Sequence, residues 1–370
     1  MLGICVLMLA GRPMTESAKR IKGRAAVNNP SNRYSDPHHE AFDDGWGAQG
    51  DDPDAPATEL IADASRSVLV YNQSPDVPFD RSVNPYRGCE HGCVYCYARP
   101  THAYLDCSAG LDFETRIFYK AGAAELLAQE LGKPGYQCQP IALGVNTDAY
   151  QPAERKLKIT RGILEVLLAH RHPVGIVTKS ALVERDLDLL GDMAKRNLVH
   201  VMVSVTSLDK RLARSMEPRA AAPRRRLESI RRLSAAGIPV GVLVAPVVPV
   251  LNDGEIESIL TQVRRAGALS AGYVMLRLPH EVKDLFRSWL QRHVPLKADH
   301  VMKRIRDIRG GNENDSQFGR RMRGTGVYAE LIQKRFEIAL ARLSFQGMPA
   351  FDSSCFRVPR TSAPQLELFE

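Results

Sequence analysis

The run Ser82-Val-Asn-Pro-Tyr-Arg-Gly-Cys-Glu-His-Gly-Cys-Val-Tyr-Cys-Tyr-Ala98 places Cys89, Cys93 and Cys96 in a C-x3-C-x2-C loop after a short strand-like stretch. Three thiolates can ligate three irons of a cubane [4Fe–4S] cluster, leaving the last iron open to an exchangeable small molecule. An open iron implies chemistry rather than scaffolding. The alternative is a closed zinc or iron–sulfur knuckle, which needs one more ligand and could recruit Cys107. No second C-x2-C or H-x3-5-H pair accompanies the loop. With 7 cysteines in 370 residues, odd in number and mostly clustered, a disulfide framework is disfavoured.

Outward from the loop, apolar β-branched runs alternate with segments of helical period. An entry strand is expected near residues 67–71, and residues 83–86 lead into the cysteines. Further strands are expected at 140–144, 174–178, 199–204, 240–245 and 272–276. Between them fall helical stretches at 121–131, 157–170, 185–196, 223–236 and 255–266. Pro223 suits a helix start and Gly237 the position after its end. Near-continuous apolar strands alternating with amphipathic helices predict an α/β fold with a parallel sheet covered by helices on one face. Six such units make a partial (β/α)6 TIM-like barrel, whose chemistry belongs at the C-terminal ends of the strands.

The cysteine spacing, with the aromatic Tyr95 before the third cysteine, resembles the signature of the radical S-adenosylmethionine (SAM) enzymes. That resemblance implies a [4Fe–4S] cluster on Cys89, Cys93 and Cys96 whose open iron is chelated by the amino and carboxylate groups of SAM. It also implies reductive cleavage of SAM to a 5′-deoxyadenosyl radical, a low-potential electron donor, and the same barrel over about residues 75–280. Within that group the chain resembles spore photoproduct lyase, a DNA-repair enzyme.

The likeness extends to the strand ends. It implies that Tyr95 and Tyr97 relay the radical, although both rings could merely pack. Val145 stands at the position of the lyase's hydrogen-donating cysteine and cannot donate a hydrogen atom, which leaves the final donor and the lyase reaction open. Cys138 reads as a buried, inert thiol, while Cys107 and Cys355 are conceivable donors. By the same likeness Thr147, Lys179 and Ser204 contact SAM, and Glu217 and Arg226 match a glutamate and an arginine of the lyase-like group. Arg226 could clamp a carboxylate bidentately.

The charge of +8 and pI near 9.1 favour a polyanionic partner such as DNA, although many mildly basic enzymes bind none. Residues 1–65 read as an extended or disordered N-terminal arm, rich in Asn, Asp, Pro, Gly and charge. Translation could begin at Met1 or at Met14. No run approaches membrane length, and reduced thiols around an oxygen-labile cluster fit the cytoplasm. The barrel is expected over 66–280, followed by a C-terminal extension at 281–350. Within it, residues 304–326 combine six arginines with five glycines, suiting either close approach to phosphates or a mobile lid. A flexible tail at 351–370 ends in Gln365, Leu366, Leu368 and Phe369, which resembles the peptides that bind the DNA-polymerase sliding clamp. The sequence thus points to a radical SAM enzyme acting on DNA. A radical SAM enzyme of RNA, protein or a small metabolite and a non-catalytic, metal-containing nucleic-acid-binding protein are the alternatives.

Overall fold

Runs such as Val174–Thr178 and Val199–Ser204 are apolar enough to be covered on both faces, and each forms a strand, with Val174, Ile176, Val199, Val201 and Val203 buried. The computed structural model describes residues 23–26, 29–30, 33–34 and 57–359. Its strands are β1 (Glu59–Ala62), β2 (Leu69–Tyr71), β3 (Arg81–Val83), β4 (Tyr86–Arg87), β5 (Arg116–Tyr119), β6 (Ile141–Leu143), β7 (Val174–Thr178), β8 (Val199–Ser204), β9 (Val240–Val247) and β10 (Ser270–Met275).

Seven strands form one sheet in the order β10-β9-β8-β7-β6-β3-β2. Neighbours from β3 through β10 pair in parallel, and β2 is antiparallel at the edge. Val83 pairs with Leu143 and Leu143 with Ile176, so the C-terminal ends of the first strands emerge side by side. This is the expected partial (β/α)6 barrel. Its returning helices span Ile159–Ala169, Leu187–Ala194, Pro223–Ala235 and Ile256–Arg265. Their buried rows, including Leu167, Leu190, Leu233 and Leu260, pack into one core with the strands. Truncating one such leucine to alanine costs about 2–5 kcal/mol.

Three departures from the sequence expectation matter for the site. The arm contributes structure: β1 pairs in parallel with β5, which pairs antiparallel with β4 in a second, three-stranded sheet. The backbone N–H groups of Ala25 and Ala26 donate to the Glu114 carboxylate at 3.2 and 3.0 Å. At the other terminus, residues 351–359 pack under the barrel, with Phe351 stacked 3.8 Å from His200 and Phe356 against Tyr136 and His172. Gln365, Leu366, Leu368 and Phe369 lie outside the described residues.

The third departure concerns the Arg/Gly-rich segment. Met275, at the end of β10, donates its N–H to the carbonyl of Met322 at 2.9 Å. On the other side, Gly319 N–H donates to Asp76 at 2.6 Å, Arg321 binds the same carboxylate, and Arg321 Nη2 donates to Ser74 Oγ at 2.6 Å. Ser74 and Asp76 lie between β2 and β3, at the opposite edge of the sheet. Residues 319–322 therefore tie the two edges of the open barrel together. Arg309, buried, fastens the segment further by donating to the carbonyls of Leu276 at 2.7 Å and Arg321 at 2.9 Å.

Candidate active site

The cysteine loop leaves β4 at the C-terminal end of the parallel sheet, and glycines set its path. Gly88 and Gly92 have φ of +82° and +65°. A Cβ on Gly88 would stand 2.9 Å from the Arg116 carbonyl, and one on Gly92 2.7 Å from Glu114 Oε2. Neither position accepts a side chain without displacement.

Buried polar groups hold the rest of the loop. Gln151 donates to the Gly88 carbonyl at 3.1 Å and accepts from Glu90 N–H at 2.9 Å. Arg99 donates to the Cys93 carbonyl at 2.8 Å and pairs with Glu114, both side chains being fully buried. Breaking a buried pair of this kind leaves an uncompensated charge and costs about 3–5 kcal/mol.

Cys89, Cys93 and Cys96 share this loop, with Cys89 and Cys93 buried and Cys96 partly exposed. Burial pushes the Cys93 thiol up to about 12 and the Cys89 thiol well above its ordinary value. A coordinating metal inverts that preference and holds the thiolates. Cys107 is engaged elsewhere, donating to Leu105 O at 3.3 Å and accepting from Arg116 Nη1 at 3.0 Å. Among the described residues no three His, Cys, Asp or Glu side chains form a group suited to a metal ion. The chemistry of three cysteines on one tightly braced loop fits a cluster that distributes its ligands over separate irons.

Around the loop, residues from successive strand ends converge. Asp148, after β6, accepts from Thr178 Oγ1 at 2.8 Å and Lys179 N–H at 2.7 Å, and lies 3.3 Å from His91 Nδ1. Burial would raise its pKa, but His91 and these hydrogen bonds hold it at about 2. Thr147 donates to the Tyr86 carbonyl at 2.7 Å, bracing the strand that enters the loop. Lys179 Nζ stands 5.9 Å from the Tyr95 ring centroid. Burial would lower the Lys179 pKa, yet Cys93 and Glu217 outweigh it and raise it.

The residues expected at the cofactor fall into two layers. Glu217 and Arg226 form a salt bridge with side chains 0% and 3% exposed. Arg226 also donates to the Ser204 carbonyl at 3.0 Å and the Ala221 carbonyl at 2.7 Å. Tyr95 donates to Glu217, which also accepts from Thr206 Oγ1 at 2.6 Å. These groups brace the end of β8 and the ring before Cys96. Tyr97, by contrast, is 45% exposed. Its hydroxyl donates to the Val145 carbonyl, and the Arg277 guanidinium lies 5.3 Å from its ring centroid.

Sequence reasoning missed Asp148, His91, Gln151 and the Arg99–Glu114 pair. Asp148 falls beside the quoted Thr147 at a strand end, where an acidic residue is a usable signal. The Arg99–Glu114 pairing depends on the turn after Ala98 and has no sequence period to reveal it.

Comparison with known proteins agrees with this geometry. Residues 83–263 match the Radical SAM superfamily, so the barrel region is that of a radical SAM domain. Its fold is similar to that of spore photoproduct lyase complexed with dinucleoside spore photoproduct, with a TM-score of 0.55, 14% identity, and 78% of this chain and 80% of that one covered. A lyase mutant with bound AdoMet and dinucleoside spore photoproduct gives a TM-score of 0.52, 14% identity and the same coverage. At that identity the likeness is one of fold.

An uncharacterized protein of Mycobacterium tuberculosis is 41% identical over 221 residues, 59% of this chain and 65% of that protein. One from Methanocaldococcus jannaschii is 28% identical over 173 residues, 47% of this chain and 62% of that protein. The aligned region therefore covers just under two thirds of these relatives' length.

Proposed function

We propose that Cys89, Cys93 and Cys96 hold a [4Fe–4S] cluster that binds SAM, and that the enzyme acts on nucleic acid, with DNA as the substrate of first choice. The observation that carries the reading is the braced three-cysteine loop at the C-terminal end of the six parallel strands. When bound, the cluster and SAM supply reductive cleavage of the sulfonium and a 5′-deoxyadenosyl radical.

The protein's residues then orient and shield. Lys179, charged and partly buried, meets the SAM carboxylate. Ser204 and Thr147 line the adjoining strand ends, with Ser204 set by Arg226 and Thr147 by Tyr86. Glu217 and Arg226 act through Tyr95 and β8 as positioning residues. Tyr97 faces the open mouth, where a substrate would arrive, while Tyr95 is held behind the loop. With Val145 in place of a donor cysteine, Tyr97 is the exposed residue next to the loop that can pass a hydrogen atom.

The DNA assignment rests on the positive charge and the Arg/Gly-rich segment. The C-terminal Gln365, Leu366, Leu368 and Phe369 support a tether to a sliding clamp. Among the described residues no helix is long and apolar enough to cross a membrane, and we place the enzyme in the cytoplasm with a low-potential electron donor. The test is anaerobic release of 5′-deoxyadenosine by the reconstituted protein with SAM and reductant. Stimulation by DNA, and not by RNA or protein extracts, is expected. Release indifferent to DNA but stimulated by a metabolite fraction would transfer the activity to a small substrate.

A further inference from the structure

We propose that Arg277 is the receptor for a phosphate ester of the substrate at the mouth of the barrel. The proposal rests on the reading of that mouth as the substrate site of a radical SAM enzyme. Arg277 follows β10 by two residues and so stands at the C-terminal end of the sheet. Its guanidinium lies beside Tyr97, which directly follows Cys96.

Arg277 differs from the other arginines around the site in what it touches. Arg226 is paired with Glu217, Arg99 with Glu114 and Arg321 with Asp76. Arg309 has an Nε without a partner among the described residues, but its terminal nitrogens are engaged by main-chain carbonyls. Arg277 has a thioether contact, Nη1 to Met322 Sδ at 3.8 Å, and its Nε is buried without a hydrogen-bond partner among the described residues. Asp76, the acid that acts on it electrostatically, is already bound to Arg321 and Gly319 N–H. Burial, and then the charge of Arg321, lower the Arg277 pKa.

A half-buried guanidinium without a bonded counter-ion is costly to maintain, and an arriving anion relieves that cost. Two guanidinium groups share one carboxylate here, leaving positive charge at the mouth. The planar fork of arginine matches phosphate oxygens bidentately. Phe318 is 57% exposed on the same segment, with the Arg321 guanidinium 4.5 Å from its ring centroid. An exposed ring on the segment whose Met322 contacts Arg277 suits a nucleotide, whose base can stack on it.

The test reads Arg277 directly in the cluster-loaded, full-length protein by its rate of modification with p-hydroxyphenylglyoxal, mapped by peptide mass spectrometry. Exposed Arg214 serves as reference. A single-stranded oligonucleotide or a nucleoside monophosphate should slow modification of Arg277 at least fivefold relative to Arg214, whereas chloride at equal ionic strength should not. Protection by the monophosphate but not by the oligonucleotide would keep the phosphate receptor and remove nucleic acid as its source. Protection by neither, or by SAM alone, would overturn the proposal. Arg277→Gln should also weaken oligonucleotide or monophosphate binding at least tenfold at wild-type iron content, with Arg277→Lys intermediate. Unchanged binding in Arg277→Gln would overturn it as well.

Discussion

Tyr95 donates its hydroxyl to Glu217, whose other carboxylate oxygen is bound by Arg226. Arg226 in turn holds the Ser204 carbonyl, so the ring before Cys96 and the end of β8 are fixed by one buried ion pair. Two tyrosines that look equivalent in sequence thereby acquire different surroundings. Tyr95 is locked behind the loop, and Tyr97 opens to the mouth.

That asymmetry separates two variants. Tyr95→Phe leaves the charged Glu217 short of a donor in a dry site and should destabilise the protein by about 1.5–3 kcal/mol, read as a lowered urea midpoint. Tyr97→Phe should leave the midpoint and iron content nearly unchanged while lowering substrate product formed per 5′-deoxyadenosine. Equal effects of the two variants on both readouts would contradict the distinct positions.

The Glu217–Arg226 pair also predicts an acid response. Burial opposes the Glu217 charge, but Arg226, Lys179, Thr206 and Tyr95 outweigh it and bring its pKa to about 2 from an ordinary 4.5. A depressed carboxylate stabilises the fold fully above its unfolded value and loses that contribution as pH falls through its folded value. About 3 kcal/mol should therefore disappear between pH about 5 and pH about 2. Glu217→Gln should lower stability by about 3–5 kcal/mol at neutral pH, because it strands the Arg226 charge. The same variant should show a shallower acid slope in urea titrations.

Much of the barrel could be read in advance because its strands are covered on both faces and its helices on one. Val174–Thr178 and Val199–Ser204 have the predicted bounds, and the helix Pro223–Ala235 starts at its proline. The spacing of the cysteines picks out the loop that the structure places at the C-terminal end of the parallel strands. What stayed hidden lacks periodicity: β1 and β5 are short and pair across 57 positions of sequence, from Glu59 to Arg116. The crossing of the barrel mouth by residues 319–322 depends on Asp76, far upstream, accepting from Gly319 and Arg321. The setting of Arg277, beside Tyr97 and Met322, has no sequence period to reveal it.

Cofactor binding is expected to respond to the strand ends without loss of iron. Lys179→Ala removes a charge-assisted partner worth about 1.5–3 kcal/mol, so SAM affinity should fall by about ten- to a hundredfold. Ser204→Ala should have a smaller effect, since Arg226 holds its main chain regardless. Calorimetric titration of SAM into the reconstituted variants decides the matter; wild-type affinity in both would remove these residues from the cofactor site.

The clamp tether makes a separate prediction. Changing Leu368 and Phe369 to alanine should abolish binding to the sliding clamp while cluster content and SAM cleavage persist, since such anchors carry most of the binding energy. Calorimetry at tens of micromolar, an affinity of about −6 to −7 kcal/mol, would reveal the wild-type contact, and its absence would remove the tether.

The most direct measurement is the electron paramagnetic resonance spectrum of the anaerobically purified, reduced protein with and without SAM, taken alongside iron and zinc content. An open iron on Cys89, Cys93 and Cys96 predicts an iron–sulfur signal that changes on adding SAM. It should be lost in Cys89→Ala, Cys93→Ala and Cys96→Ala, and retained in Cys107→Ala, whose thiol is engaged by Arg116 and Leu105. A zinc-loaded protein with no such signal, or a signal indifferent to SAM, would contradict it.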